Sequence, residues 1–168
     1  MSGTAVTVVP ADSEVVDRLA DMWVALARDQ RGHGSHLRAD TNRTRVRELL
    51  ARYTASEGLL VAATDTDSGT GAPVGFVMFR VRSGQYEVDT TRGLVENLYV
   101  GQGHRDNGVG SALLEAAERR LGERGVDVVS LEVMAPNEAA RRFYRRHGYE
   151  PHRVELEKSV DDGSETES

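Results

Sequence analysis

The sequence predicts a mixed α/β fold in which helices flank a central β-sheet. Two stretches carry this expectation. The apolar segments 59–64 and 73–82 are separated by a glycine-containing turn, which is typical of an antiparallel hairpin. The segment 94–134 reads as strand, glycine-rich loop, amphipathic helix and strand, and so short a run predicts a right-handed parallel crossover. A sheet that contains both antiparallel and parallel neighbouring strands is a mixed sheet.

The composition is that of a water-soluble protein, and 168 residues are enough for one domain with its own core. No apolar run has the length of a membrane span, and the N-terminus lacks the pattern of a signal peptide. The absence of cysteine excludes disulfides, thiolate metal sites and a cysteine nucleophile. We therefore expect a cytoplasmic protein that does not interact with membranes.

The net charge of −6 disfavours nucleic acid as a partner, because phosphate binding relies on basic patches. An acidic surface attracts cationic substrates instead, through steering that fades as salt rises. The C-terminal residues are acidic and include no core residue after Val160. We expect one domain over residues 1–159 and a disordered tail over residues 160–168.

The N-terminal part predicts a strand followed by a helix. Residues 5–9 are mostly β-branched and end at Pro10, which suits a short strand. Asp12 or Ser13 is suited to cap the helix that follows. The apolar residues of this helix recur at helical spacing and are Val16, Leu19, Ala20, Trp23, Val24 and Ala27.

The polar, glycine-containing stretch 30–40 predicts a loop, and Thr41 or Asn42 is suited to cap a second helix that ends near Ser56. The inner face of this helix carries Val46, Leu49, Leu50 and Tyr53. Three potential metal ligands lie in or beside the loop, namely His33, His36 and Asp40. Because three such residues in a loop are a weak signal, we predict no metal site.

The remaining elements follow from the same periodicities. In order they are a loop over 83–92, a strand over 94–100, a helix over 108–122, a strand over 126–134, a helix from Asn137 to His147 and a last strand over 149–158. Asn137 is suited to cap the helix that ends at His147, and Gly148 is the expected residue just after that helix.

The stretch 96–111 (E-N-L-Y-V-G-Q-G-H-R-D-N-G-V-G-S) carries the chemistry. Glycines let a backbone approach a ligand, and the first N–H groups of a helix, which lack internal partners, point at anions. Arg105 adds a positive charge before the helix. The spacing Arg105-x-x-Gly108-x-Gly110 is neither a P-loop nor a dinucleotide fingerprint. The stretch nevertheless predicts a phosphate-binding turn.

Together with a second motif, this turn resembles the GNAT superfamily of N-acetyltransferases, which use acetyl-CoA. The family's pyrophosphate motif, Arg/Gln-x-x-Gly-x-Gly/Ala, is matched by Arg105, Gly108 and Gly110. The second family signature is matched by Asn137, Ala140, Phe143-Tyr144 and Gly148-Tyr149. The order of predicted elements from Val6 to Lys158 is also similar to that of the family.

The resemblance implies acetyl-CoA as co-substrate and assigns a set of residues to it. The backbone of the turn would hold the pyrophosphate, and the turn comprises Arg105, Asp106, Asn107, Gly108, Val109, Gly110 and Ser111. Backbone groups of Leu98 and Val100 would pair with the pantetheine arm, and Asn137 would contact the cofactor from the facing helix. Asp106 brings a carboxylate beside the expected phosphate, which would weaken or reorient binding.

Tyr144 lies where the family often has its general acid. A thiolate leaves coenzyme A when the acyl group is transferred, and a phenol within reach can protonate it. Phe143 and Tyr144 are adjacent on a helix and point about 100° apart, so we expect that they do not face the same core wall. The alternative is that Tyr144 is a core residue.

Glu96 is the best candidate for the general base. An amine with a pKa near 10.4 is mostly protonated at neutral pH, and removing its proton costs about 4–5 kcal/mol. Strand alternation puts Glu96 on the face shared by Leu94 and Leu98, where partial burial would raise the pKa of its carboxyl group. The alternatives are a carboxylate exposed by a bulge and an anchor for the charge of the substrate.

These residues predict an N-acetyltransferase in which an amine attacks acetyl-CoA directly within a ternary complex. The lack of cysteine excludes an acetyl-cysteine relay, whereas a serine relay stays open. The acceptor is an amine-bearing small molecule or a peptide N-terminus, and a homodimer is compatible with the sequence. The alternative functions are a protein N-terminal acetyltransferase and a catalytically silent module that binds or senses acyl-CoA.

Overall fold

The computed structural model describes residues 5–66, 69–83 and 90–160. In order, its elements are β1 (Val6–Pro10), α1 (Val16–Arg31), α2 (Arg43–Ala55), β2 (Leu59–Thr66), β3 (Gly69–Val81), β4 (Arg92–Val100), α3 (Val109–Glu123), β5 (Val128–Leu131) and α4 (Glu138–Arg146). Short 3₁₀ turns precede α2 and α3 at residues 40–42 and 102–104. The predicted tail from residue 161 onwards and residues 84–89 of the predicted 83–92 loop lie outside the described residues.

The five strands form one sheet in the order β1-β2-β3-β4-β5. The first four strands pair antiparallel, and β4 pairs with β5 in parallel. The predicted mixed sheet and the crossover from β4 through α3 to β5 are therefore confirmed. The hairpin strands β2 and β3 extend further towards their connecting turn than predicted.

The core lies in two layers, one on each face of the sheet. Helices α1 and α2 cover one face, where Trp23 packs with Phe76 and Met78. Helix α3 covers the other face, where Leu113 packs with Val77 and Phe79. The alternation of β3 side chains between the two layers follows from strand geometry. No helix in the described ranges is both long and apolar enough to cross a membrane.

The helix starts differ slightly from the predicted ones. Asp12 Oδ1 accepts hydrogen bonds from the backbone N–H groups of Glu14 and Val15, at 3.0 and 3.2 Å. This cap forms a turn, so that α1 begins at Val16. Asn42 occupies the N-cap position of α2, but its side chain donates to the carbonyl of Arg38 instead of accepting from the helix.

The predicted last strand over residues 149–158 is wrong, because this segment pairs with no strand in the described part of the chain. Val154 and Leu156 are 74% and 89% exposed. Alternation of apolar and charged residues predicted the strand, but a strand also needs a backbone partner. Side chains of the segment contact the sheet and the α1–α2 loop, His152 with Arg92 and Glu157 with His36.

Candidate active site

The strands β4 and β5 pair over only four residues each, from Arg92–Val128 to Val95–Leu131. Beyond this point β4 continues to Val100, whereas β5 has ended. The predicted strand over 126–134 is therefore shorter at both ends. In the described ranges, no strand pairs with the β5-facing edge of residues 96–100. We call this opening between the two strands the β4–β5 gap.

The free edge of β4 includes the backbone groups of Leu98 and Val100. The Val100 carbonyl accepts a hydrogen bond from Arg105 Nε at 2.9 Å, so it points away from β3. Backbone groups alternate in direction along a strand, and those of Leu98 therefore point the same way. Unpaired backbone groups on one edge are available to an extended ligand.

The loop from Gly101 to Gly108 connects the gap to the N-terminus of α3. Gly108 has a φ of +80° and Asp106 a φ of +64°, so both adopt the left-handed conformation that favours glycine. Gly108 is the N-cap residue, and no side chain caps α3. The first N–H groups of the helix are consequently left for solvent or for an anion.

Arg105 is bound to the end of β4. Its guanidinium donates through Nε to the Val100 carbonyl and lies 5.9 Å from the centre of the Tyr99 ring. These contacts fix the cation at the mouth of the β4–β5 gap. They also occupy one of the strand carbonyls that the resemblance assigns to the cofactor.

Gly110 faces the protein, because a Cβ atom added there would lie 3.4 Å from Phe143 Cζ. This distance is an ordinary van der Waals contact, so a side chain larger than that of alanine would press on Phe143, a packing constraint that the sequence spacing did not reveal. The neighbouring Ser111 also points towards α4, and its Oγ lies 2.9 Å from His147 Nε2.

Helix α4 begins at the predicted cap. Asn137 Oδ1 accepts a hydrogen bond from the N–H of Ala140 at 3.2 Å. This bond fixes the orientation of the Asn137 side chain at the N-terminus of α4. The predicted N-cap is confirmed, and the amide nitrogen of Asn137 points away from its capping bond.

Tyr144 packs on α4 among aromatic rings. Its ring lies 5.2 Å from that of Phe143 and 5.9 Å from that of Tyr149, both nearly edge to face. The expectation that Phe143 and Tyr144 do not share a core wall is wrong, since both pack against the α3 side of the sheet. Burial raises the pKa of the Tyr144 phenol to about 12, because phenolate is poorly solvated there. The hydroxyl is therefore protonated at neutral pH.

Glu96 occupies a β-bulge. Met78 on β3 faces Asn97 and Phe79 faces Val95, so that Glu96 has no partner across the ladder. The extra residue in the bulge reverses the alternation of β4 side chains between the two faces of the sheet. Leu98 consequently packs on the α3 side of the sheet, whereas the carboxylate of Glu96 lies on the opposite side, against α2. The predicted face shared by Glu96 and Leu98 is wrong for this reason.

Two side chains hold the Glu96 carboxylate, which is 23% exposed. Tyr53 on α2 donates its hydroxyl to Oε2, and Arg80 on β3 donates Nε to Oε1 at 2.6 Å. Burial raises the pKa of the Tyr53 phenol above its ordinary value, and the neighbouring Glu96 carboxylate raises it further. Tyr53 thus stays a hydrogen-bond donor to Glu96.

The sequence did not reveal the roles of Tyr53 and Arg80. Tyr53 was predicted only as an inner-face residue of α2. Arg80 continues the face of β3 that carries Phe76 and Met78, and a charge on an apolar face was the signal that could have marked it.

The potential metal ligands of the 30–40 stretch have separate partners. Asp40 pairs with Arg28 at 2.5 Å, and His36 Nε2 lies 3.3 Å from Glu157. His33 lies 4.0 Å from Asp29. Across the described residues, no group of three or more metal-binding side chains converges.

Two shallow cavities lie along α2. One of about 350 Å³ is lined by Leu49, Arg52, Tyr53, Ser56 and Arg80. The other, of about 260 Å³, is lined by Trp23, Leu37, Asn42, Arg45, Val46, Leu49 and Arg52. Because they share Leu49 and Arg52, we treat them as one surface and call it the α2 groove.

Comparisons with known proteins agree with this geometry. Residues 23–149 match the model of the acetyltransferase (GNAT) family. A mycothiol acetyltransferase of Clavibacter michiganensis is 34% identical over 139 residues, which cover 82% of this chain but 42% of that protein. The chain thus spans about two fifths of the length of this relative.

Solved structures share the fold. A GCN5-related N-acetyltransferase from Ralstonia eutropha is 23% identical with a TM-score of 0.72, and the match covers 94% of this chain and 100% of that one. The PaiA N-acetyltransferase of Thermoplasma acidophilum, solved with coenzyme A, is 16% identical with a TM-score of 0.74, over 90% of this chain and 93% of that one. The family match over most of its length means that this chain belongs to the GNAT family of acetyltransferases.

Proposed function

We propose that this chain is an N-acetyltransferase, in which an acceptor amine attacks acetyl-CoA directly within a ternary complex. One observation carries the proposal. The free edge of β4 in the β4–β5 gap leads directly to the uncapped N-terminus of α3. An extended arm that ends in a pyrophosphate needs backbone partners along its length and anion-binding N–H groups at its end.

The residues of the gap fit acetyl-CoA. Backbone groups of Leu98 and Val100 would pair with the pantetheine arm, and the turn from Arg105 to Ser111 would hold the pyrophosphate. The positive φ of Gly108 supports this, because it opens the turn towards the helix N-terminus. Asn137, fixed by its capping bond, would contact the cofactor from α4. Acetyl-CoA supplies the activated acyl group.

Two side chains would move protons. Glu96 would accept the proton of the acceptor amine, directly or through one water, while Tyr53 and Arg80 hold its carboxylate in place. Tyr144 would donate its phenolic proton to the leaving thiolate, since its hydroxyl is protonated at neutral pH. Backbone N–H groups of Leu98 and Val100 would stabilise the negative charge that develops on the acyl oxygen.

Turnover across a panel of amines and peptides tests this function. We expect release of free coenzyme A thiol that depends on both acetyl-CoA and an amine. Initial rates measured at several concentrations of both substrates should give intersecting double-reciprocal lines, as a ternary complex requires. Parallel lines would indicate an acetylated enzyme, for example on a serine.

The same panel separates the alternatives. A protein N-terminal acetyltransferase would acetylate peptides and leave small amines unmodified. An acyl-CoA-binding module would bind acetyl-CoA in calorimetry and release no thiol with any amine. Thiol release that requires both substrates, together with small-amine acetylation, supports the proposed function over both.

A further inference from the structure

The arginines of α2 fall into two groups. Arg43 Nε lies 2.9 Å from Asp21, and Arg47 Nε lies 2.5 Å from Asp17, so this pair is neutralised by α1. Arg45 and Arg52 instead line the α2 groove, and in the described ranges neither makes an ion pair. The difference follows from helix geometry, because residues 45, 49 and 52 are spaced three and four apart and share one face.

The α2 groove is locally cationic in a chain whose net charge is −6. Among the described residues, no carboxylate lines either of its cavities. The Glu96 carboxylate contacts two lining residues, Tyr53 and Arg80, and both donate hydrogen bonds to it. Arg52 is therefore an uncompensated guanidinium beside the apolar side chain of Leu49.

The groove meets Glu96 at one end, because Tyr53 and Arg80 both line the 350 Å³ cavity and both donate to the Glu96 carboxylate. A ligand in this cavity would contact the unpaired Arg52 and the two side chains, Tyr53 and Arg80, that bind the Glu96 carboxylate. This arrangement is complementary to a molecule that carries both an amine and an anion. Guanidinium groups bind carboxylates and phosphates through two parallel hydrogen bonds.

We propose that the acceptor is an amine that also carries a carboxylate or a phosphate, with its anionic group bound at Arg52 and its amine directed towards Glu96. This inference rests on the proposed acetyl transfer and names its substrate class. The net charge of the chain, by contrast, favours purely cationic acceptors. Binding in the α2 groove depends on the charges close to the acceptor, because more distant charges are screened by salt.

Matched acceptors test the inference. We would compare kcat/KM for leucine and for leucinamide, which lacks the anionic charge, and measure 2-aminoethyl phosphate to distinguish carboxylate from phosphate. Arg52→Gln should reduce the leucine-to-leucinamide ratio of the wild type by about 10- to 100-fold, the effect of losing a hydrogen bond to a charged group. Because the same two acceptors are compared in every variant, the difference between their amine pKa values cancels in this change.

Two further variants serve as controls. Arg47→Gln removes the same charge from the same helix but outside the groove, and should leave the ratio unchanged. Arg52→Lys keeps the charge and should retain part of the preference. An equal loss in Arg47→Gln and Arg52→Gln would overturn the inference, since it would point to the general field of the helix.

The failure of this inference is distinguishable from that of acetyl transfer. A leucine-to-leucinamide ratio that is the same in the wild type and in Arg52→Gln, with amine-dependent thiol release intact, would overturn the substrate class alone. If no amine is acetylated, calorimetry of N-acetyl-leucine and N-acetyl-leucinamide in the presence of coenzyme A still tests whether the groove binds the anionic group. Tighter binding of N-acetyl-leucine that is lost in Arg52→Gln supports the groove, and equal binding of the two compounds rejects it.

Discussion

Glu96 shows how one inserted residue changes what a side chain can do. The bulge in β4 directs its carboxylate towards α2, where Tyr53 and Arg80 each donate to one oxygen. To take a proton from an amine, the carboxylate must give up one of these hydrogen bonds or use a free lone pair on the same oxygen. The sequence left open a bulge at this position, and the structure contains one at Glu96.

The pH profile of Glu96→Gln tests the base role. The rate should fall most near neutral pH, where the amine is charged and needs a base. It should recover towards wild type as the pH approaches the pKa of the amine, because free amine then comes from solution. Tyr53→Phe, which keeps the carboxylate, should lose less activity than Glu96→Gln at neutral pH.

Two outcomes would exclude Glu96 as the base. A deficit of the same size at every pH would indicate a structural carboxylate. A defect confined to KM, with kcat preserved, would indicate an anchor for the charge of the substrate.

Tyr144→Phe keeps the ring and its aromatic contacts and removes only the hydroxyl. If the phenol protonates the leaving thiolate, kcat should fall by about 10²-fold or more, while calorimetry shows little change in acetyl-CoA affinity. Because burial raises the pKa of Tyr144 to about 12, its deprotonation should not reduce the wild-type rate anywhere below about pH 10. An equally active phenylalanine variant would leave Tyr144 as a core residue.

At the scale of elements, α3 and α4 pack together beside the turn that we propose for the cofactor. Gly110 faces Phe143 in the first turn of α3, and Ser111 contacts His147 at the end of α4. The two glycines of the motif differ in their surroundings. Gly108 supplies a left-handed backbone conformation, and Gly110 faces a neighbouring helix, where a side chain larger than that of alanine would press on Phe143.

A double-mutant cycle separates packing from ligand approach at Gly110. Gly110→Val should lower the melting temperature and weaken acetyl-CoA binding, because its side chain presses on Phe143. In a Phe143→Ala background the same substitution should cost clearly less, with a coupling energy of about 0.5–3 kcal/mol. If acetyl-CoA affinity falls equally in both backgrounds, the reason is instead a close approach of the ligand to the backbone.

The elements were largely predictable, and two of the errors, the last strand and the face of Leu98, share a cause. Apolar periodicity identified the helices and the first five strands, because each has a buried face of its own. The last strand and the face of Leu98 depend on backbone pairing with another segment. Residues 149–158 alternate like a strand but find no partner, and the bulge at Glu96 changes the register without any local signal.

For the whole molecule, the separation of β4 from β5 joins the fold to its proposed chemistry. The glycine turn and the Asn137 signature could be identified in the sequence because each requires particular residue types at fixed spacing. The partners of Glu96 were not, since Tyr53 and Arg80 lie 43 and 16 residues away along the chain. Contacts of that kind arise only when α2, β3 and β4 come together.

Hydrogen exchange with and without acetyl-CoA tests the location of the cofactor most directly. Saturating acetyl-CoA should slow amide exchange in residues 98–111, which include the free edge of β4 and the start of α3. Exchange in α2 should change little until an acceptor is added. Protection confined to the α2 groove, or unchanged exchange across residues 98–111 in a protein that binds acetyl-CoA, would contradict the account.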